Sequence, residues 1–209
     1  TALVSMSAFS HWDGDWAKNL RAKFAPGELE MLMADRVNVC WGLAEGNSGV
    51  TGEGARADIG EPDAGDVRTP ADPEGWHELY DVDGPGFRRA RRIEVQRDDK
   101  AGLIRIEAAF QDSINRKNGG RGAIHEYDLS ATADLASGRL LTLEPKPRIL
   151  PFGECPGAVH NTQRLIGRTL PESREAVLEQ LRGAQGCTHL NDALRALAEV
   201  PKLAGYLAN

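Results

Sequence analysis

The sequence predicts an α+β fold, an antiparallel meander of about four strands covered by C-terminal helices, with an N-terminal helical segment ahead of it. Two patterns carry that expectation. Between residues 87 and 143, apolar and polar residues alternate in stretches divided by Asp- and Gly-rich turns, the period of half-buried strands. After Cys155 the apolar residues recur at three and four, as they do on amphipathic helices. Successive strands with short turns form a meander with one buried face, and helices layered on that face complete the core. The chain then divides into a helical segment over 1–45, an acidic Gly/Pro-rich loop or linker over 46–75, and the α+β domain over 76–209.

Taking the elements in order, Phe9, Trp12, Trp16, Leu20 and Phe24 are spaced three, four, four and four apart. That makes one helical face, although Asp13-Gly14-Asp15 interrupts it. His11, beside Trp12, either reaches a site or is simply exposed or packed. A second helix opens at Pro26, where a missing N–H is tolerated, and Glu28 and Glu30 complement the positive end of its dipole. Leu29, Leu32, Met33, Arg36, Val37, Cys40 and Leu43 continue it until Gly46, with Cys40 read as a small core residue. From Gly46 to about Gly75 the only large aliphatics are Val50, Ile59 and Val67. So few cannot offset the entropy of ordering the segment, which is therefore a loop, or a lid if it closes over a site. Trp76, His77, Leu79 and Tyr80 re-anchor the chain.

The first strand alternates Phe87, Arg89, Arg91, Ile93 and Val95 against Arg88, Ala90, Arg92, Glu94 and Gln96. Asp98 to Gly102 is turn chemistry. The second strand sets Ile104, Ile106, Ala108, Phe110 and Asp112 on one face. After a basic glycine-rich loop from Asn115 to Gly122, the third aligns Ala123, His125, Tyr127, Leu129 and Ala131. Asp134 to Gly138 turns into a fourth strand, Arg139 to Leu143. Pro145, Pro147 and Pro151 then mark the change to helix. Helices are expected from Cys155-Pro156 to Ile166, from Pro171 to Gly183, and from Cys187 or Thr188 through Val200. Pro201 interrupts the last, and Leu203, Tyr206 and Leu207 form a closing turn.

Composition sets the class. With 209 residues, 41% hydrophobic and 27% charged, the chain suits one globular domain with or without an appendage. A net charge of −6 argues against a nucleic-acid partner, whose phosphates call for a basic surface. No apolar run approaches the ~20 residues of a membrane span. Thr1 is read as a processed end, with no signal peptide expected. Three cysteines, an odd number, fit a reducing compartment and a cytoplasmic protein.

Asp112 and His125 stand out because each sits on the apolar face of its strand, where an ionisable group is costly unless paired or functional. If their strands are neighbours, Asp112 can fix the tautomer of His125 and leave its other nitrogen as a general base. The alternative is a structural hydrogen-bonded pair, or an Asp112 just past its strand. Cys155 and Cys187 sit at expected helix N-termini, where the dipole lowers a thiol's pKa. With His189, and His125 or His160, they make a possible zinc set, although no Cys-x-x-Cys spacing is present. Two buried structural cysteines explain the same pattern. His160 and Asn161 either orient a substrate oxygen or face solvent, and Arg91 is one of several strand arginines able to hold an anion. No phosphate loop, nucleophile elbow or dinucleotide fingerprint occurs.

Three segments resemble the bacterial domain-of-unknown-function family DUF2889. They are His125-Glu126-Tyr127, the run Leu150-Pro151-Phe152-Gly153-Glu154-Cys155-Pro156, and Gly186-Cys187-Thr188-His189-Leu190-Asn191-Asp192. The resemblance covers about residues 86–205 and leaves the N-terminal region aside. It implies kinship with bacterial catabolism of aromatic compounds. The activity expected from it is a cofactor-independent lyase that releases formaldehyde from a lignin-derived aromatic dimer. In that reading His125, Asp112, Tyr127 and His189 carry the acid–base chemistry, with Tyr127 on the substrate oxygen. Trp12, Trp16 or Trp76 stacks on the aromatic rings. Expected partners are a small aromatic substrate, with self-association left open, and neither nucleic acid nor membrane. The competing expectation is a metal-binding accessory or regulatory protein using Cys155, Cys187 and His189, with zinc as its ion. An interaction module using the acidic loop is the third.

Overall fold

The alternation that begins at Phe87 is realised as one sheet. The computed structural model describes residues 25, 27–28, 31, 34–51, 62–68, 72, 74, 84, 86–116 and 119–208. Strands β1 (Phe87–Asp98), β2 (Leu103–Asn115), β3 (Arg121–Asp134) and β4 (Leu140–Ile149) pair antiparallel in the order β1-β2-β3-β4. The fold is α+β, with helical pieces ahead of the sheet and helices after it. Asp98 closes the first hairpin by accepting the Ala101 N–H at 2.9 Å, and Asp134 accepts that of Ser137 at 2.8 Å in the third.

One face of the sheet is the floor of the core. Ile104, Ile106, Phe110, Tyr127, Leu129 and Ala133 lie buried under the helices that follow. Those are a 3-10 helix at Cys155–Leu165, α2 (Ser173–Gln180), α3 (Thr188–Ala196) and α4 (Val200–Tyr206), with the four-residue α1 (Ser48–Thr51) lying earlier in the chain. Leu165, Val177, Leu181, Leu190, Leu194, Leu197 and Val200 face the sheet. Each fully buried aliphatic contributes roughly 1.5–3 kcal/mol, so this layer supplies most of the fold's drive.

Several expectations change here. β4 does not stop at Leu143 but runs on through Pro145 and Pro147 to Ile149. Both prolines share one parity on an edge strand, where the free side of the ladder needs no N–H. The helix expected from Pro26 to Leu43 ends earlier. Glu28, Met31 and Ala34 are helical, residues 35–38 form a turn with Asn38 at φ 63°, and a 3-10 turn follows at Trp41–Leu43. Leu178, Leu203, Tyr206 and Leu207 are exposed, so the stripe of α2 is narrower than the spacing implied and the last turn does not close the core.

The 46–75 stretch is in part anchored. Ser48 donates its N–H and its hydroxyl to Glu154 at 3.1 and 2.7 Å. Residues 62–64 pair with the start of β3, Ala64 N–H donating to the Arg121 carbonyl at 3.0 Å. Gly65 and Val67 then accept bonds from Gln111 and Arg92 on the face of the sheet away from the helices. Residues 65–67 therefore lie against the face of the sheet away from the helices. The expected helix carrying Phe9, His11, Trp12 and Trp16, and the anchor at Trp76 and His77, lie outside the described residues.

Candidate active site

A single rung of the sheet brings three polar side chains under the helical layer. Arg89 on β1 is the register partner of Asp112 on β2, and Asp112 is the partner of His125 on β3. Residues of one parity share a face, so all three point inward together. A register shift just after Asp112 marks a bulge at this end of the β2–β3 pair, a device that re-aims side chains near sites.

The fourth group arrives from α3. Its start is fixed by backbone contacts: Gly186 accepts the Trp41 N–H at 2.7 Å, and Asn191 and Asn161 donate to the Leu181 and Gln185 carbonyls at 2.9 Å each. A Cβ on Gly186 would meet the Leu181 carbonyl oxygen at 2.4 Å, so only glycine lets the backbones approach this closely. Cys187 is the N-cap residue, with no side-chain cap bond. His189 and Asp192 follow three apart on one helix face, and both reach the rung.

The assembled geometry is dense. Arg89 donates Nε and Nη2 to the two oxygens of Asp112, each at 2.7 Å, and its guanidinium lies 5.0 Å from the Phe110 ring. Asp112 is 0% exposed. The imidazoles of His125 and His189 stack with centroids 3.4 Å apart and planes 16° from parallel. His189 Nε2 is 3.5 Å and His125 Nδ1 4.0 Å from the same oxygen, Asp112 Oδ2. Neither nitrogen has a hydrogen-bond partner, although both are buried. On its other side His189 Nδ1 lies 3.4 Å from the Thr188 hydroxyl and 3.9 Å from the Cys187 sulfur. At the rim, Asp192 sits 3.5 Å from both Arg89 and Arg91.

Electrostatics follows from burial. Desolvation first, then the Arg89 charge, push His189 down to about 3, and His125 goes well below its ordinary value for the same reasons with His189 added. Both rings are neutral Lewis bases at pH 7. Burial raises the Asp112 carboxyl, while the bidentate bond from Arg89 opposes that rise, and the carboxylate in turn holds Arg89 charged. The thiols do not behave as helix-start cysteines. Burial outweighs any dipole, pushing Cys155 to about 12 and Cys40 to about 11, and raising Cys187.

The expected residues thus separate into two groups. Asp112, His125 and His189 come together, their donor atoms within 4.8 Å of one another, which among the described residues is the convergent set able to hold a metal. Cys155 does not join them, and Cys187 lies 3.9 Å from His189 Nδ1 without joining the set. Tyr127 is fully buried with its hydroxyl beside the Cys187 sulfur and no nitrogen or oxygen partner, its phenol raised by burial and then by Cys187, Cys155 and Cys40. His160 is exposed on the 3-10 helix, and buried Asn161 braces the turn before α3. Arg91 is at the rim, and Trp76 lies outside the described residues. Sequence reasoning missed Arg89 and Asp192. Arg89 shares its parity with Ile93 and Val95, and Asp192 closes the Gly186–Asp192 block, which were the available signals.

A family model described as a protein of unknown function, DUF2889, matches residues 87–202, more than half of the chain. Neither the curated proteins nor the solved structures compared with it give a match. The matched span contains every member of the cluster, from Arg89 to Asp192.

Proposed function

The chain belongs to the DUF2889 family, and from that premise we propose that it is a small-molecule enzyme whose reacting centre is Asp112, His125 and His189. The observation that carries this reading is the pair of buried imidazoles stacked at 3.4 Å beside a carboxylate, with a nitrogen of each lacking a partner. A fold gains little stability from such an arrangement, because buried polar groups cost free energy unless satisfied. Sites that do chemistry tolerate that cost.

The reaction we assign is the release of formaldehyde from a lignin-derived aromatic dimer bearing a hydroxymethyl side chain. A neutral imidazole takes the phenolic proton, and the phenolate expels the benzylic oxygen substituent to give a quinone methide, the departing oxygen taking that proton back from the imidazolium. The base then removes the hydroxymethyl O–H proton. The adjacent carbon–carbon bond breaks, its electron pair forms the stilbene double bond and restores the phenolate, and the carbon departs as formaldehyde. No electrons are gained or lost overall. Arg91 and Arg89, each 3.5 Å from Asp192, supply the cationic groups for the phenolate. Three free thiols support a reducing, cytoplasmic setting. Among the described residues no helix is long and apolar enough to cross a membrane.

The test is formaldehyde release from hydroxymethyl-bearing aromatic dimers by the full chain, beside His125→Ala and His189→Ala. Loss of at least about 100-fold is expected for each, the usual contribution of a positioned base, with the far-UV spectrum retained. Wild-type rates in both variants would remove the reading.

A further inference from the structure

We infer that Asp112, His125 and His189 form a binding site for one divalent transition-metal ion. The inference deepens the reading above, since it rests on the same three residues being the functional centre, and it replaces the free imidazole base there, because a lone pair bound to an ion cannot also take a proton. It starts from distances. Separations of 3.5 and 4.0 Å from Asp112 Oδ2 to His189 Nε2 and His125 Nδ1 are too long for good hydrogen bonds. They suit ligand atoms that share an ion: donors each about 2.0–2.2 Å from zinc stand roughly 3.3 Å apart at tetrahedral angles, and further at wider ones.

The unpartnered atoms point the same way. His125 Nδ1 and His189 Nε2 are buried without a hydrogen bond, and leaving such groups unsatisfied destabilises the fold. One ion between them and Asp112 Oδ2 satisfies all three at once when the two rings turn out of their 16° stack, because each lone pair lies in its own ring plane. The outer contacts also fit a ligand set. Ligating carboxylates are oriented by hydrogen bonds and ligating histidines by a contact on the other nitrogen. Arg89 holds Asp112 at 2.7 Å, and His189 Nδ1 lies near the Thr188 hydroxyl at 3.4 Å. Arg89 does bring a positive charge close to the ion. Asp192, 3.5 Å from Arg89, offsets it. Two imidazoles and one carboxylate favour zinc, cobalt, nickel or ferrous iron over calcium or magnesium, and leave positions for water or substrate.

The experiment is isothermal titration of the chelator-treated full chain with Zn²⁺ and, separately, with Co²⁺, whose visible spectrum reports the ligand geometry. One ion per chain is expected. Affinity should fall by at least about 100-fold in His125→Gln and in His189→Gln, and stay within a few-fold in Cys155→Ala; second-contact changes alone cost 10- to 100-fold. No saturable binding overturns the inference. So does binding that survives both histidine variants, or that is lost in Cys155→Ala, which moves the ion to the thiols. Formaldehyde release is scored separately: stoichiometric binding without it sinks the lyase alone, and turnover by chain that binds no ion sinks the metal site alone.

Discussion

Asp112 and His125 are register partners across β2 and β3, yet their side chains do not hydrogen-bond. The closest approach is 4.0 Å, because Arg89 holds both oxygens of Asp112 at 2.7 Å. The carboxylate is thus turned along its rung toward β1, and its free lone pairs face two imidazoles. This arrangement makes Arg89 a positioning residue for the cluster.

Removing Arg89 tests that. With Asp112 wholly buried, Arg89→Met strands a carboxylate without its counter-charge, and a loss of about 3–5 kcal/mol is expected. Adding Asp112→Leu to the same chain should recover most of it, since replacing a buried ion pair with packed apolar groups is near neutral. Urea unfolding of the two variants decides. A single variant as stable as wild type would mean the pair is dispensable.

Gly186→Ala checks the placement of α3. A methyl 2.4 Å from the Leu181 oxygen and 3.0 Å from the Asn191 amide must push the helix start away, at a cost of about 1–3 kcal/mol. Since His189 moves with that start, metal affinity or turnover should fall together with the melting temperature. A variant with unchanged stability would show that the turn relaxes elsewhere.

Tyr127→Phe removes a buried hydroxyl whose polar neighbour is the Cys187 sulfur, a weak partner. Stability is expected to change by no more than about 1 kcal/mol, less than deleting a hydroxyl with a strong oxygen or nitrogen partner does. Thermal melts answer this. A larger loss would show that the phenol and the Cys187 thiol hold one another firmly.

How far this could be read in the sequence depends on what each residue's meaning rests on. The four strands were legible because period-two alternation is a local property, and Asp112 and His125 were legible because each breaks an apolar face. β4 was cut short because Pro145 and Pro147 read as breakers, and only its place at the sheet edge makes them harmless. Arg89 was hidden among the arginines of β1. Pairing with Asp112 is what separates it from Arg91, and pairing is not written in either strand alone. At Cys155 and Cys187 the local pull of a helix start on a thiol is outweighed by burial, a tertiary quantity. His189 stands out in the Gly186–Asp192 block, but its stacking on His125 depends on how α3 crosses the sheet.

The thiols give a pH prediction with a definite sign. Cys40 and Cys155 rise from 9.0 to about 11 and about 12 in the folded chain, so their protonated forms are favoured on folding. A raised folded pKa gives stability that is complete below the unfolded value and is lost as pH climbs through the folded one. Stability should therefore decline between pH 9 and about 12. A Cys40→Ala, Cys155→Ala chain should show a shallower decline in urea titrations. At pH 8 the native thiols should also resist a disulfide reagent until the chain unfolds.

Asp192 gives the last prediction. It is partly exposed and lies 3.5 Å from both Arg89 and Arg91, so it cancels part of the positive charge at the mouth of the cluster. A unit charge about 4 Å away is worth roughly 1 kcal/mol in water and more where water is partly excluded. Asp192→Asn should then bind a phenolate analogue at least about 5-fold more tightly at low salt, the advantage shrinking as salt rises. The same change takes a negative charge from beside the ion site, so Zn²⁺ affinity should weaken while anion affinity grows. Opposite movement of the two ligands is the signature of a charge at the site itself. Parallel losses in both would show instead that Asp192 only holds α3 in place.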